Sequence, residues 1–155
     1  AASRLMLGLE IPRAVSDLAA AVTALQNHAA VDGANVGCIG FCMGGQLALC
    51  AAASDARIAA VVDCYGIHPK AAFDASSLRA AVFGIFAEND AFVPAASARA
   101  REAELRRAGI RARFHFYVGV EHAFMNDSRP DVYDAASAAE AWNELLAFLR
   151  AELTV

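Results

Sequence analysis

One of the chain's four cysteines stands in a setting suited to chemistry. Gly40-Phe41-Cys42-Met43-Gly44-Gly45 lies between a short apolar run and an alanine-rich stretch. This matches Gly-x-Ser-x-Gly, the sharp corner that presents a nucleophile between a strand and a helix, with cysteine replacing serine. Such a corner strains the nucleophile's backbone, and side chains two positions to either side would collide. Gly40 and Gly44 are expected to remove that collision, and Gly45 to let the helix pack closely. The helix then aims its N-terminal amides and positive dipole end at Cys42, which favours a thiolate. The backbone N–H of Met43 falls where an oxyanion would form. The plainer alternative is a glycine-rich turn around a structural cysteine, because free cysteine is among the most buried residue types.

Two further blocks tip the balance. Glu88-Asn89-Asp90-Ala91-Phe92-Val93-Pro94 and Gly119-Val120-Glu121-His122-Ala123-Phe124 each follow a strand-like run. Their order gives nucleophile, acid, histidine, separated by 48 and 32 residues, which leaves room for the intervening elements. In this reading His122 takes or shares the thiol proton, and Asp90 fixes the imidazole's tautomer and stabilises its cation. An acyl-thioester forms, and water activated by His122 cleaves it.

The elements that must position these groups alternate in type. Pro12 suits the first turn of a helix whose apolar residues Val15, Leu18, Ala19, Val22 and Leu25 recur to about His28. Asp32-Gly33 breaks the chain. Strands are expected at Asn35–Ile39, Ile58–Cys64, Ala81–Ala87 and Arg113–Val118. Helices are expected from near Met43 to Ser54, from about Ala95 to Ala108 with Gly109 stopping it, and over Val132–Glu152. The last would carry Ala135, Ala139, Trp142, Leu145, Leu146 and Leu149 on its apolar side. Continuous apolar strands alternating with helices predict an α/β fold, a parallel sheet covered on both faces. Residues 1–155 read as one domain without repeat or linker. Tyr65–Arg79 lacks a crossover helix and reads as a loop over the C-terminal edge of the sheet.

Composition narrows the class of function. Of 155 residues, 58% are hydrophobic and 19% charged, but no apolar stretch approaches the roughly 18 residues of a membrane span. The net charge is −4, and the basic cluster Arg99–Arg107 is mixed with Glu102 and Glu104, so it reads as a solvated face rather than a nucleic-acid surface. Cys38, Cys42, Cys50 and Cys64 lie in apolar surroundings without disulfide-scaffold density, pointing to a reducing, cytoplasmic compartment. The start lacks a basic region leading into an apolar core, so no secretory signal is expected. Ala1 follows initiator removal or marks where a longer protein was cut.

The three blocks together resemble the signatures of the dienelactone hydrolase (carboxymethylenebutenolidase) family, within the α/β-hydrolase superfamily. Val31-Asp32 and Tyr65-Gly66 are similar as well. The resemblance implies Cys42, Asp90 and His122 as a triad hydrolysing small lactones or carboxylic esters without cofactor or metal. It also implies that the chain corresponds to the C-terminal two-thirds of the fold. The family's first strands, the segment giving the second oxyanion N–H and a thiol-activating glutamate would then lie outside it. An apolar sheet edge would be left open, to be covered by an N-terminal segment or in a homo-oligomer. The family's substrate-binding arginine after the histidine is not matched, since Asn126 stands there, and Ala123 replaces the neighbouring serine. Arg129 is the remaining candidate, against the simpler reading of a solvated loop charge.

Phe41, Tyr65, Phe92 and Phe124 are candidates for the acyl pocket, with core packing as the default for each. His68 sits in a loop near the strand ends and is a weaker candidate. His28, His115 and the other three cysteines read as structural, and Glu88 and Glu121 as solvated. Two functional classes compete: a cysteine hydrolase, and a silent fragment or interaction module that keeps the triad without half of its sheet. A thiol-redox role lacks the Cys-x-x-Cys motif it needs.

Overall fold

A computed structural model describes residues 8–31, 33 and 35–153, so the expectations resting on Asp32 lie outside the described residues. The first helix, α1 (Ile11–Gln26), carries Pro12 in its first turn, where a missing N–H costs nothing. Strands and helices then alternate except between the second and third strands: β1 (Val36–Phe41), α2 (Met43–Ser54), β2 (Ile58–Cys64), β3 (Ala81–Ala87), α3 (Ala95–Arg107), β4 (Ala112–Tyr117) and α4 (Ala135–Leu153). The four strands form one parallel sheet in the order β1-β2-β3-β4. All four strand ends that bear loops toward the site therefore share one edge.

The strand period of two sorts side chains onto two faces. Ala60, Val62, Cys64, Phe83 and Ile85 face α4, where Ala141, Leu145 and Phe148 complete the layer. Phe83 and Phe148 have ring centroids 5.6 Å apart. Val61 and Val82 face the other way, into a second cluster with Leu49 and Ala52 of α2, Leu105 of α3 and Val22 of α1. Fully burying each Leu, Ile or Phe of these layers stabilises the fold by roughly 1.5–3 kcal/mol. Helices cover both faces, as the continuous apolar strands require.

Strand boundaries fall within two residues of the sequence expectation, but α4 starts later, at Ala135 rather than Val132. Asp134 explains the delay: its Oδ1 accepts the Ser137 amide at 2.8 Å, capping the first turn there. The buried stripe of α4 is Ala138, Ala141, Leu145 and Phe148, whereas Trp142 and Leu146 are exposed. Those two belong to a face beside β1 that the described residues leave uncovered, because β1 pairs only with β2. The segment between β2 and β3 contains one 3-10 turn, Ala75–Ser77, and otherwise runs as a loop, as expected. The basic cluster is only partly solvated: Arg106 is exposed and pairs with Glu102, whereas Arg101, paired with Glu104, turns inward to the buried Gln46 and the Phe73 ring. On the α4 face, His115 Nδ1 and the Tyr117 hydroxyl share Glu144 Oε2 at 2.7 and 2.8 Å, clasping β4 to α4. No helix among the described residues is long and apolar enough to cross a membrane.

Candidate active site

Cys42 occupies the single residue between β1 and α2 and holds φ 53°, ψ −127°, a conformation an L-residue adopts only when its surroundings force it. Those surroundings are backbone and one buried carboxyl. Its amide donates to the Cys64 carbonyl at 2.9 Å, tying the corner to the end of β2. A Cβ on Gly40 would lie 2.0 Å from the Gly44 carbonyl oxygen, and one on Gly45 would lie 1.9 Å from Asp63 Oδ1. The expectation for Gly44 needs correcting. A Cβ there meets nothing within 4 Å, because the start of α2 turns that position toward open space. The crowding falls on Gly40 and Gly45.

The acid arrives from β3, all seven residues of which are buried. Beyond its tip, Glu88 donates its amide to the Tyr117 carbonyl at 2.9 Å, joining the loops after β3 and β4. Asp90 Oδ1 accepts the amides of Phe92 and Val93, both at 2.8 Å, so the carboxylate is held before any catalytic partner is counted. Its other oxygen, Oδ2, lies 2.7 Å from His122 Nδ1. With Nδ1–H donating there, Nε2 is the ring nitrogen left for sulfur. Cys42 and His122 line the same cleft, and hydrogen bonding between them enters the proton affinity of both. The three groups read from the sequence therefore converge at one edge of the sheet.

Their electrostatics are mutual. The hydrogen bond from His122 does most to lower the Cys42 thiol below its ordinary value, aided by the imidazole's charge and the Met43 amide and opposed by partial burial and by Asp90. For His122, burial works against the cation, but the bonds to Cys42 and Asp90 outweigh it, and the net displacement is upward. Both displacements ease transfer of the thiol proton to the imidazole. The Met43 amide is in the first turn of α2, where backbone donors have no intrahelical partner.

A cleft of about 410 Å³ opens over the thiol. Cys42, Met43, Tyr65, Phe92 and His122 line it, and so do His68 and Arg129. Tyr65 sets its ring edge-on to His122 at 5.0 Å from a left-handed backbone, φ 46°. Phe92 approaches the same imidazole at 5.2 Å while remaining 80% exposed. Phe41 and Phe124 are placed elsewhere. Phe41 turns toward Trp142 at 6.1 Å, and Phe124 is fully buried against Tyr65 and Tyr117. The apolar wall is instead Ile67, Pro69 and Val93, two of them from a loop whose path the hydrophobic pattern could not trace. Arg129 also pairs with Asp131.

Sequence reasoning passed over Asp63. It is fully buried, and neither carboxyl oxygen has a hydrogen-bond partner of good geometry. The signal was present: one acidic residue in the run Ile58-Ala-Ala-Val-Val-Asp-Cys64, where every neighbour is apolar.

The dienelactone hydrolase family model matches residues 2–153. "Protein usf" of Aquifex pyrophilus is 37% identical over 77% of this chain and 52% of its own length. A "Putative carboxymethylenebutenolidase" of Aquifex aeolicus is 34% identical over 76% of this chain and 52% of its own. A dienelactone hydrolase-like promiscuous phosphotriesterase from metagenomic libraries superimposes with a TM-score of 0.80 at 26% identity, covering 90% of this chain and 62% of that one. The chain thus spans about half the length of the curated relatives it matches. With a match across nearly every residue and a parallel α/β sheet of the same form, the chain belongs to the dienelactone hydrolase family.

Proposed function

We propose that this chain carries the catalytic part of a hydrolase of small carboxylic esters or lactones, with Cys42 as nucleophile, His122 as general base and acid, and Asp90 as the group that orients the imidazole. One observation carries the reading: Cys42, on its strained corner, and His122 line one cleft, and that imidazole is bonded to a buried carboxylate whose other oxygen is already held by two amides. The thiolate attacks the acyl carbon, the Met43 amide receives the developing oxyanion, and His122 gives its proton to the leaving oxygen. Water then takes the place of the alcohol, His122 accepts its proton, and hydrolysis of the thioester returns the thiol. The cleft suits a small acyl group, with an apolar wall on one side and His68 and Arg129 on the other.

The β1 edge supports a companion proposal. Ile39 and Phe41 are 37% and 41% exposed on a strand with one neighbour among the described residues, on the side of the exposed Trp142. Another segment, from an N-terminal part of the protein or a second copy, pairs with β1 and supplies the second oxyanion donor. Without it, the triad sits in an incomplete enzyme or serves as an interaction module.

Limiting iodoacetamide followed by mapping of the adducts tests the nucleophile. Cys42 is expected to label well ahead of Cys38, Cys50 and Cys64, and equal labelling overturns the assignment. Hydrolysis of p-nitrophenyl acetate by the chain and by Cys42→Ala tests turnover. If both hydrolyse it alike, the activity lies elsewhere.

A further inference from the structure

Asp63 remains unexplained by the proposed chemistry, and its position is unusual. Its register neighbours on both adjoining strands are glycines, Gly40 on β1 and Gly84 on β3. Above it lie two more, Gly45 of α2 and Gly66 after β2, where an added Cβ would stand 1.9 and 2.4 Å from Asp63 Oδ1. The same Cβ on Gly66 would lie 2.5 Å from the Cys42 carbonyl oxygen. The Asp63 carboxyl thus fills the space that glycine leaves between two strained corners, Cys42 at φ 53° and Tyr65 at φ 46°. One corner carries the sulfur, and the other carries the ring packed edge-on to His122.

We propose that Asp63 is a positioning residue: an uncharged carboxyl wedged beneath the nucleophile corner, holding the Cys42 and Tyr65 turns at the spacing that lets sulfur meet His122. This rests on reading Cys42 as the nucleophile. A carboxylate here would be taken from water without a partner, and such groups keep their proton instead. Burial displaces Asp63 well above the usual carboxylate range, against the weaker pull of the nearby Gly66 amide and the Arg101 charge, and the Cys42 thiolate pushes the same way as burial. Arg101 is otherwise engaged, with Glu104 at 3.1 Å and with the buried Gln46 side chain at 3.3 Å. An ionised Asp63 would oppose the thiolate above it and disfavour Cys64 beside it. A neutral one supplies bulk without that repulsion.

The test measures iodoacetamide labelling of each cysteine across a pH series in the full chain, Asp63→Ala and Asp63→Asn. Loss of the wedge in Asp63→Ala is expected to raise the apparent Cys42 pKa by about one unit, a tenfold fall in thiolate below it. Cys50 and Cys64 should stay protected, and Asp63→Asn, of the same shape and uncharged, should restore the parent profile. A parent-like Cys42 profile in Asp63→Ala overturns the proposal. If Asp63→Ala exposes Cys50 and Cys64 and so has not folded, Asp63→Asn decides alone: a parent profile supports the uncharged wedge, and a shift of a unit or more refutes it. Failure of the nucleophile reading looks different, since Cys42 of the parent chain would then label no faster than the other three.

Discussion

β1 and β3 deliver the two halves of the candidate site in opposite ways. β3 is buried along its whole length, and the acid beyond its tip is fixed by two amides before it reaches His122. β1 is half-exposed and has one neighbour among the described residues, yet it carries the proposed nucleophile on a strained corner. Rigidity for the acid comes from the core, whereas rigidity for the thiol comes from close backbone contacts at Gly40 and Gly45 and from the carboxyl below. The site is therefore mechanically asymmetric, and the two halves should fail differently.

The largest effects should strike the chemistry and spare the fold. His122→Gln is expected to lower ester turnover by about 10³-fold or more, with little change in thermal melting, since it removes the proton carrier. A mild effect would remove His122 from that role. Asp90→Asn keeps the shape but weakens control of the tautomer, and a loss of about 10²–10⁴ in kcat is expected. Because Oδ1 would still accept its two amides, the β3 side should hold its structure, which circular dichroism can check.

Next in size are packing effects, which separate the two strands directly. Phe83→Ala removes a fully buried ring and is expected to cost about 3–5 kcal/mol in urea unfolding, whereas Ile39→Thr on β1 should cost less than about 1 kcal/mol. Comparable losses would mean that the β1 edge is covered in solution, in line with the companion segment proposed for it.

The smallest effects concern protons. The folded-state pKa of Asp63 lies above its unfolded one, so between the two values the folded chain binds one proton more than the unfolded chain. Stability should fall as pH rises from about 4 toward neutrality, by up to about 1.4 kcal/mol per pH unit, and Asp63→Asn should flatten that slope. Thermal melts across the range measure it, and an unchanged slope in the variant would show that Asp63 ionises freely. Cys42 runs the other way, its pKa lying below the ordinary thiol range, so its alkylation should persist at pH values where Cys38, displaced upward by burial, is silent.

What the sequence made legible follows from how local each signal is. The Gly40–Gly45 corner, Asp90 and His122 could be read because a turn beyond a strand end is a short-range pattern, and β2 and β3 fell on Ile58–Cys64 and Ala81–Ala87 as expected. Phe41 and Phe124 could not be separated from Tyr65 and Phe92, because all four have the same composition signal and only their direction differs. Ile67 and Pro69 escaped notice for a related reason: an irregular loop has no period to reveal which way it folds back. Trp142 and Leu146 look like core by helical spacing, but they are exposed beside β1, the edge strand of the described sheet. Asp63 was visible as an oddity in an apolar strand, but its meaning depends on glycines brought to it from β1, α2 and β3.

α4 covers the Phe83 and Ile85 face of the sheet, while α2 and α3 close the opposite face. Because Ala135–Leu153 follows all four described strands, those strands leave the ribosome while that aromatic face still lies bare. That face therefore stays exposed until that helix has emerged, which makes synthesis the time of greatest risk for sticking to other chains.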